Sequence, residues 1–161
     1  MKYKNIIIYG GTSEISLALI DIFEMECEKL IIFCRSKENL IKILKEKSNY
    51  NDFINNIQIF ETDLNNLDKN LEIIKTLKKE ISGLIWIAGY TGDSISEYEN
   101  INEAEKNIKI NFLNPALIIT ELSKKMLKMN NSFIAVFTSV AGLRGRKKQF
   151  YYSSSKSGLI S

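Results

Sequence analysis

Along the chain, short β-branched apolar runs alternate with longer stretches in which apolar and charged residues recur at helical spacing. Ile6-Ile7-Ile8-Tyr9 predicts a buried strand, followed by a helix from about Glu14 to Met25 with Ile15, Leu19, Ile22 and Phe23 on one face. Leu30 to Phe33 predicts a second strand, and Glu38 to Lys47 a helix with a charged face. Ile57 to Phe60 and Leu67 to Lys79 repeat the strand–helix step, and Leu84 to Ala88 reads as a fourth strand of continuous apolar character. A long helical region comes next, broken by turn residues near Gly92 to Ser94, with its last helix from about Glu105 to Lys128. Phe133 to Phe137 is a fifth strand, and another helix begins near Tyr151.

Five strand–helix units with apolar strands predict an α/β fold built on a parallel sheet covered on both faces. Right-handed crossovers make a doubly wound sheet the main candidate, although a flavodoxin-like sheet shares the same rhythm. The 161 residues suffice for one hydrophobic core and not for two, so a single domain over 1–161 is expected. Met1-Lys2-Tyr3-Lys4 leads into only a brief apolar stretch with no small-residue cleavage site, and no apolar run is long enough for a membrane span. With two cysteines, Cys27 and Cys34, too few for a disulfide framework or a four-ligand zinc site, no metal and a reducing cytoplasm are expected.

Composition narrows the chemistry further. The sequence contains no histidine, which excludes Ser-His, Cys-His and His-metal mechanisms. Acid–base work near neutral pH must then fall to a carboxylate, a tyrosine or a lysine. A net charge of +3 is too small to argue for nucleic acid, and the basic group Arg144 to Lys148 reads as a solvated loop or a phosphate patch.

Four local motifs discriminate among sheet folds. Tyr9-Gly10-Gly11-Thr12-Ser13-Glu14-Ile15-Ser16 leaves a strand and enters a helix, where glycines let the backbone approach a pyrophosphate at a helix N-terminus. A tight turn capped by Thr12 or Ser13 is the plainer reading. The second strand ends Phe33-Cys34-Arg35, with no acid for a ribose 2′-hydroxyl but a guanidinium suited to a 2′-phosphate, or simply a solvated arginine. Asp63, in Glu61-Thr62-Asp63-Leu64, is either a cofactor contact or a helix N-terminal carboxylate. Finally, Ser139 closes the fifth strand, Tyr152 follows thirteen residues later and Lys156 four after that, while Asn111 lies on the long helix.

Together these motifs resemble the short-chain dehydrogenase/reductase family. The Ser139, Tyr152-x-x-x-Lys156 and Asn111 set matches the family's catalytic residues. Its Gly-x-x-x-Gly-x-Gly is here Gly10, Glu14 and Ser16, and its Asn-Asn-Ala-Gly is Trp86-Ile87-Ala88-Gly89. The resemblance implies a Rossmann-type sheet in the order 3-2-1-4-5, with the Gly10 loop and Ser139 both at its carboxyl edge. It further implies cofactor contacts at Gly10, Thr12, Ser13, Ile15, Arg35, Asp63, Leu64, Ala88, Gly89 and Lys156, with NADP preferred over NAD. The implied activity is interconversion of an alcohol and a ketone on a small molecule, in a protein that forms homo-oligomers and needs neither nucleic acid nor a membrane span. Two stretches, Gly10 to Ile15 and Ala88 to Asp93, with the basic loop, are similar to the ketoreductase component of decaprenylphosphoryl-ribose epimerase, which implies a sugar or lipid-linked sugar.

The residue types suit that activity. A free tyrosine titrates near pH ~10, and Lys156, one helical turn beyond Tyr152, places an ammonium on the same face to favour the phenolate. The Ser139 hydroxyl would hold the substrate oxygen, and the resemblance gives Lys156 the nicotinamide ribose and Asn111 a part in relaying the proton through water. Lys156 is the fifth residue from the end, so the fold is expected to be C-terminally truncated and this chain inactive by itself. Apolar Ile108, Phe112, Ile119, Leu122 and Leu159 are expected to be left exposed. The alternative is a non-catalytic nucleotide-binding or interaction module.

Overall fold

Strands β1 (Tyr3–Tyr9), β2 (Cys27–Cys34), β3 (Ile57–Glu61), β4 (Ile81–Trp86) and β5 (Phe133–Val136) form one parallel sheet in the order β3-β2-β1-β4-β5. This is the expected order. The computed structural model describes residues 3–46, 54–77, 80–92, 100–127 and 129–161. Helices α1 (Glu14–Glu26), α2 (Lys37–Lys45), α3 (Leu67–Thr76), α4 (Ile101–Ile108), α5 (Asn114–Met126), α6 (Val140–Leu143) and α7 (Phe150–Ile160) accompany the sheet.

Side chains alternate across each strand, so each apolar run supplies two cores. Ile6, Ile8, Leu30, Ile32 and Ile85 pack with Ile20 of α1 and Leu40 and Leu44 of α2. Ile7, Tyr9, Ile31, Phe33, Leu84 and Trp86 pack with Ile74 of α3 and Ile118, Leu122 and Met126 of α5. Burial on both faces is why these strands read as continuous apolar runs. At the carboxyl ends, Phe60, Phe33, Tyr9 and Trp86 stand in register on neighbouring strands and stack with centroid separations of 5.3, 4.2 and 4.4 Å. The four rings brace the sheet directly below its functional edge.

Several sequence expectations shift. In α1, Ile15 and Ile22 are 48% and 57% exposed, and the sheet-facing residues are Ser16 and Ile20, with Leu19 and Phe23 half-buried. The helix entry sets this rotation: Ser13 caps it by accepting from Ser16 N, and the Ser16 hydroxyl donates to the Gly10 carbonyl at 2.6 Å. Strand β4 runs from Ile81 to Trp86, not Leu84 to Ala88, because Ile87 N and Ala88 N both donate to Tyr9 O and the ladder ends there.

The long helix begins at Ile101, not Glu105, and is interrupted by a π turn at Lys109–Leu113, where Asn114 N donates to Lys109 O. Pro115 has no N–H to give to the Asn111 carbonyl one turn back, which suits the looser winding. Lys47, Lys79, Ser94 and Lys128, ends of predicted elements, lie outside the described residues.

The apolar residues expected to be exposed divide. Leu122 is fully buried and Ile119 packs on the same core, because this side of α5 faces the sheet. Phe112 and Leu159 are half-buried, and Phe112 lies over Gly158 of α7. Ile108 is 39% exposed, as are Leu113 and Leu117 to a similar degree. Among the described residues β5 pairs only with β4, and no helix is long and apolar enough to cross a membrane.

Candidate active site

The loops leaving the carboxyl ends of β1, β2, β3 and β4 surround a cavity of about 650 Å³, within the range of small-molecule and cofactor sites. Gly10 turns the chain out of β1 with φ 101°, a conformation few residues other than glycine adopt, and a Cβ there would lie 2.8 Å from Ala88 N. A Cβ on Gly11 would lie 2.2 Å from Ile32 Cγ2. The glycine pair is therefore required by close packing of the first loop against β2 and the β4 loop.

Gly10, Thr12, Ser13, Arg35, Asp63, Leu64, Ala88 and Gly89 all line this cavity. Ile15, expected with them, does not: it sits in the first turn of α1 and faces away, half exposed. Glu14, which stands where a glycine is usual in the family motif, is exposed, so its carboxylate is directed outward. Ser13, not Thr12, is the helix cap. Cys34 is buried beside the cavity, and burial pushes its thiol pKa up, so it is neutral there.

Lys156, also expected among the cofactor contacts, does not line the cavity either: with Asn111 from the π turn it converges from α7 on Gly89, which does. The Lys156 Nζ and the Asn111 Oδ1 each stand 3.2 Å from the place a Gly89 Cβ would take. Asn111 accepts from Tyr90 N at 2.9 Å and donates to Tyr90 O at 2.6 Å, so its amide pins the β4 loop by both backbone groups. The Lys156 ammonium lies 5.8 Å from the centroid of the Tyr152 ring, the neighbour expected from their four-residue spacing. Ser139 caps α6 by accepting from Ala141 N at 3.1 Å, which leaves its O–H free to donate. Helix α6 packs on α7 at Gly142, where a Cβ would lie 2.9 Å from the Lys156 carbonyl carbon, so Ser139, Tyr152 and Lys156 belong to one packed unit.

Lys156 is 3% exposed, and burial pushes its pKa below that of an ordinary lysine. Between the folded and unfolded values the unfolded chain binds more protons, so stability gains from this side chain as pH rises through that window. Below the window the full cost of burying the ammonium is present. Lys156→Met is therefore expected to stabilise the fold most at neutral pH, by an amount that shrinks toward pH ~10. Urea unfolding of both proteins over a pH series measures this difference, and a constant difference would refute the assignment.

Several contributors carry no motif. Trp86, fully buried, donates its indole N–H to Ala88 O at 3.1 Å and holds the loop that meets Lys156. Glu61, at the end of β3, accepts from Lys37 N at 2.8 Å, placing an acid opposite Cys34 from the neighbouring strand. Asn107 and Asn114 are buried on the Asn111 helix; the signal was present in their spacing of four and three residues around it.

The family profile described as short chain dehydrogenase matches residues 4–161. A 3-oxoacyl-acyl-carrier-protein reductase of Thermotoga maritima is 26% identical over 160 residues, which cover 99% of this chain and 65% of the reductase. The enzyme of the same name from Buchnera aphidicola is 36% identical over 104 residues, covering 63% of this chain and 43% of its own. The chain thus spans less than two-thirds of the length of these relatives. Among solved structures, ElxO with NADP bound superposes with a TM-score of 0.79 at 24% identity, covering 99% of this chain and 64% of ElxO. An actinorhodin polyketide ketoreductase with NADPH gives 0.82 at 18%, covering 99% of this chain and 63% of that one. Both are likenesses of fold.

Proposed function

Since the chain belongs to the short-chain dehydrogenase family, we propose that it serves an NAD(P)-dependent oxidoreductase that interconverts a ketone and an alcohol. The observation that carries this reading is the convergence of buried Lys156 and Asn111 behind Gly89, itself a wall of the cavity that Gly10, Arg35 and Asp63 also line. A dinucleotide fits these residues: Gly10 and Gly89 line the cavity with bare backbone, and the α1 N-terminus faces it through Thr12 and Ser13. Bound there, the nicotinamide would supply or accept the hydride.

The chain's own residues do the rest. In reduction, the Tyr152 hydroxyl gives its proton to the substrate oxygen as that oxygen gains charge, and in oxidation the same group takes it back. Lys156, one turn away, opposes the negative charge left on the phenol oxygen, and in our reading it also holds the nicotinamide ribose. Ser139 donates its free O–H to the substrate oxygen. Asn111 fixes the loop against which Lys156 packs, and its carbonyl, denied a partner at Pro115, is suited to hold a relay water.

For the substrate, the sequence stretches Gly10 to Ile15 and Ala88 to Asp93 support a keto-sugar, free or lipid-linked. The relatives named as 3-oxoacyl-acyl-carrier-protein reductases support a β-keto thioester as the second reading. We take NADP as the preferred cofactor because Arg35 is exposed at the end of β2 with no carboxylate on its own strand end. The wild-type protein is expected to bind NADPH more tightly than NADH, and Arg35→Asp to reverse the order. Fluorescence titrations of both proteins with both cofactors, followed by NADPH oxidation with ketose and 3-oxoacyl substrates, test the proposal. Failure to bind either cofactor overturns it, whereas an unchanged preference in Arg35→Asp overturns only the role of Arg35.

A further inference from the structure

Asn107, Asn111 and Asn114 fall at spacings of four and three residues on one helical face, and all three are buried. A polar stripe between a helix and an apolar sheet persists only where its amides find partners. Asn107 accepts from Asn111 Nδ2 through both its carbonyl, at 3.1 Å, and its side-chain oxygen, at 2.8 Å. Asn111 spends its remaining capacity on Tyr90 in the β4 loop. Asn114 does something different: its Nδ2 donates across 50 positions of sequence to the Leu64 carbonyl at 2.7 Å, in the loop after β3.

That second loop is tied from the other side as well. Asn70 of α3, fully buried, donates to Asp63 O at 2.8 Å and to Asn66 O at 2.7 Å, while the Asp63 carboxylate accepts from Asn65 N at 2.7 Å. The Asp63–Leu64 segment is therefore held in one shape by α3 and at one place by α5. The β4 loop is held by Asn111, less than one turn away on the same helical unit. Asp63 and Leu64 wall one end of the cavity, and Gly89 and Tyr90 the other.

We infer that Asn114 is a positioning residue of the dinucleotide site. By holding the Leu64 carbonyl, it ties the adenosine-side wall to the helix that sets the nicotinamide-side wall and so keeps the two at one separation. The inference rests on the dinucleotide reading given above. A ligand with two halves needs both walls at a matched distance, and small displacements of one wall are paid in affinity for the half it contacts. The loop's own hydrogen bonds with Asn70 keep it folded when Asn114 is altered, so the effect is on where it sits.

Asn114→Leu keeps the side-chain volume and removes the donor; Asn114→Ser removes the reach but keeps the position polar. Titrations of wild type and both variants with NADPH, adenosine 2′,5′-bisphosphate and reduced nicotinamide mononucleotide separate the two halves. Both variants are expected to bind NADPH and the bisphosphate roughly tenfold more weakly, with affinity for the mononucleotide unchanged. Wild-type affinity for the bisphosphate in either folded variant overturns the inference. Equal losses for both halves also overturn it, since that pattern means a general loss of structure. If the unsubstituted protein binds neither NADPH nor the bisphosphate, the dinucleotide reading itself has failed, which is a distinguishable result.

Discussion

Tyr152→Phe is expected to abolish ketone reduction, by a factor on the order of 10³ or more, while leaving NADPH affinity nearly unchanged. Phenylalanine keeps the ring, and with it the face over which the Lys156 ammonium sits at 5.8 Å. Only the O–H is lost. With no histidine anywhere in the sequence, no imidazole is available to take over the proton transfer. Lys156 is buried against Gly89 and packed through α6, so it is not free to swing to the substrate oxygen. The measurement is NADPH oxidation with ketone substrates, with cofactor binding followed separately. Turnover within about tenfold of wild type would move the acid–base step to another group.

The strands were the most legible part of this molecule, because burial on both faces turns most of them into short apolar runs, set apart from the helices by length and by the turn residues around them. Their order followed from the resemblance and matches the sheet. Helix faces were less legible. In α1 the apolar residues Ile15 and Ile22 suggested one buried side, yet Ser16 faces the sheet because its hydroxyl reaches the Gly10 carbonyl. A small residue at a close helix–strand contact carries no hydrophobic signal. The end of β4 was misplaced for a similar reason: Ile87 and Ala88 are apolar enough to continue a strand, but the ladder stops where two amides share the Tyr9 carbonyl.

The candidate site shows the same division. Residues four apart on one helix, such as Tyr152 and Lys156, declare their proximity in the sequence. Residues joined across the fold do not. Nothing local to Asn114 points to Leu64, and nothing local to Trp86 points to the carbonyl it holds two residues on, since that bond exists only because the indole is stacked in the sheet. Glu61 is hidden for the same reason: the end of β2 carries no acid of its own, and Glu61 comes opposite Cys34 only through strand register from β3. Support for a site comes from neighbouring strands and helices, which sequence order conceals.

Gly10→Ala is expected to damage stability and site together. At φ 101° an alanine is strained, at a cost of about 1–3 kcal/mol. Its Cβ would also stand 2.8 Å from Ala88 N and 3.0 Å from Ala88 Cα, backbone atoms that cannot rotate aside. Retreat of that backbone is resisted on both sides: Ala88 N donates to Tyr9 O at 3.0 Å, and Ala88 O accepts from the Trp86 indole, which is fully buried in the aromatic stack. Overpacking of this kind adds roughly 1–3 kcal/mol. A total near 3 kcal/mol lowers the midpoint of thermal unfolding by roughly 6–12 °C for a domain of this size. Whatever movement does occur passes directly to Gly89, and so to the contacts of Lys156 and Asn111, which is why NADPH affinity should fall in the fraction that remains folded. Gly145→Ala is the control, because nothing lies within 4 Å of its added Cβ. Thermal unfolding by circular dichroism, with NADPH titration below the transition, compares the two variants. A Gly10→Ala protein that melts with Gly145→Ala and binds NADPH as wild type does would mean that the β1 turn and the β4 loop are not in the tight contact on which the site depends.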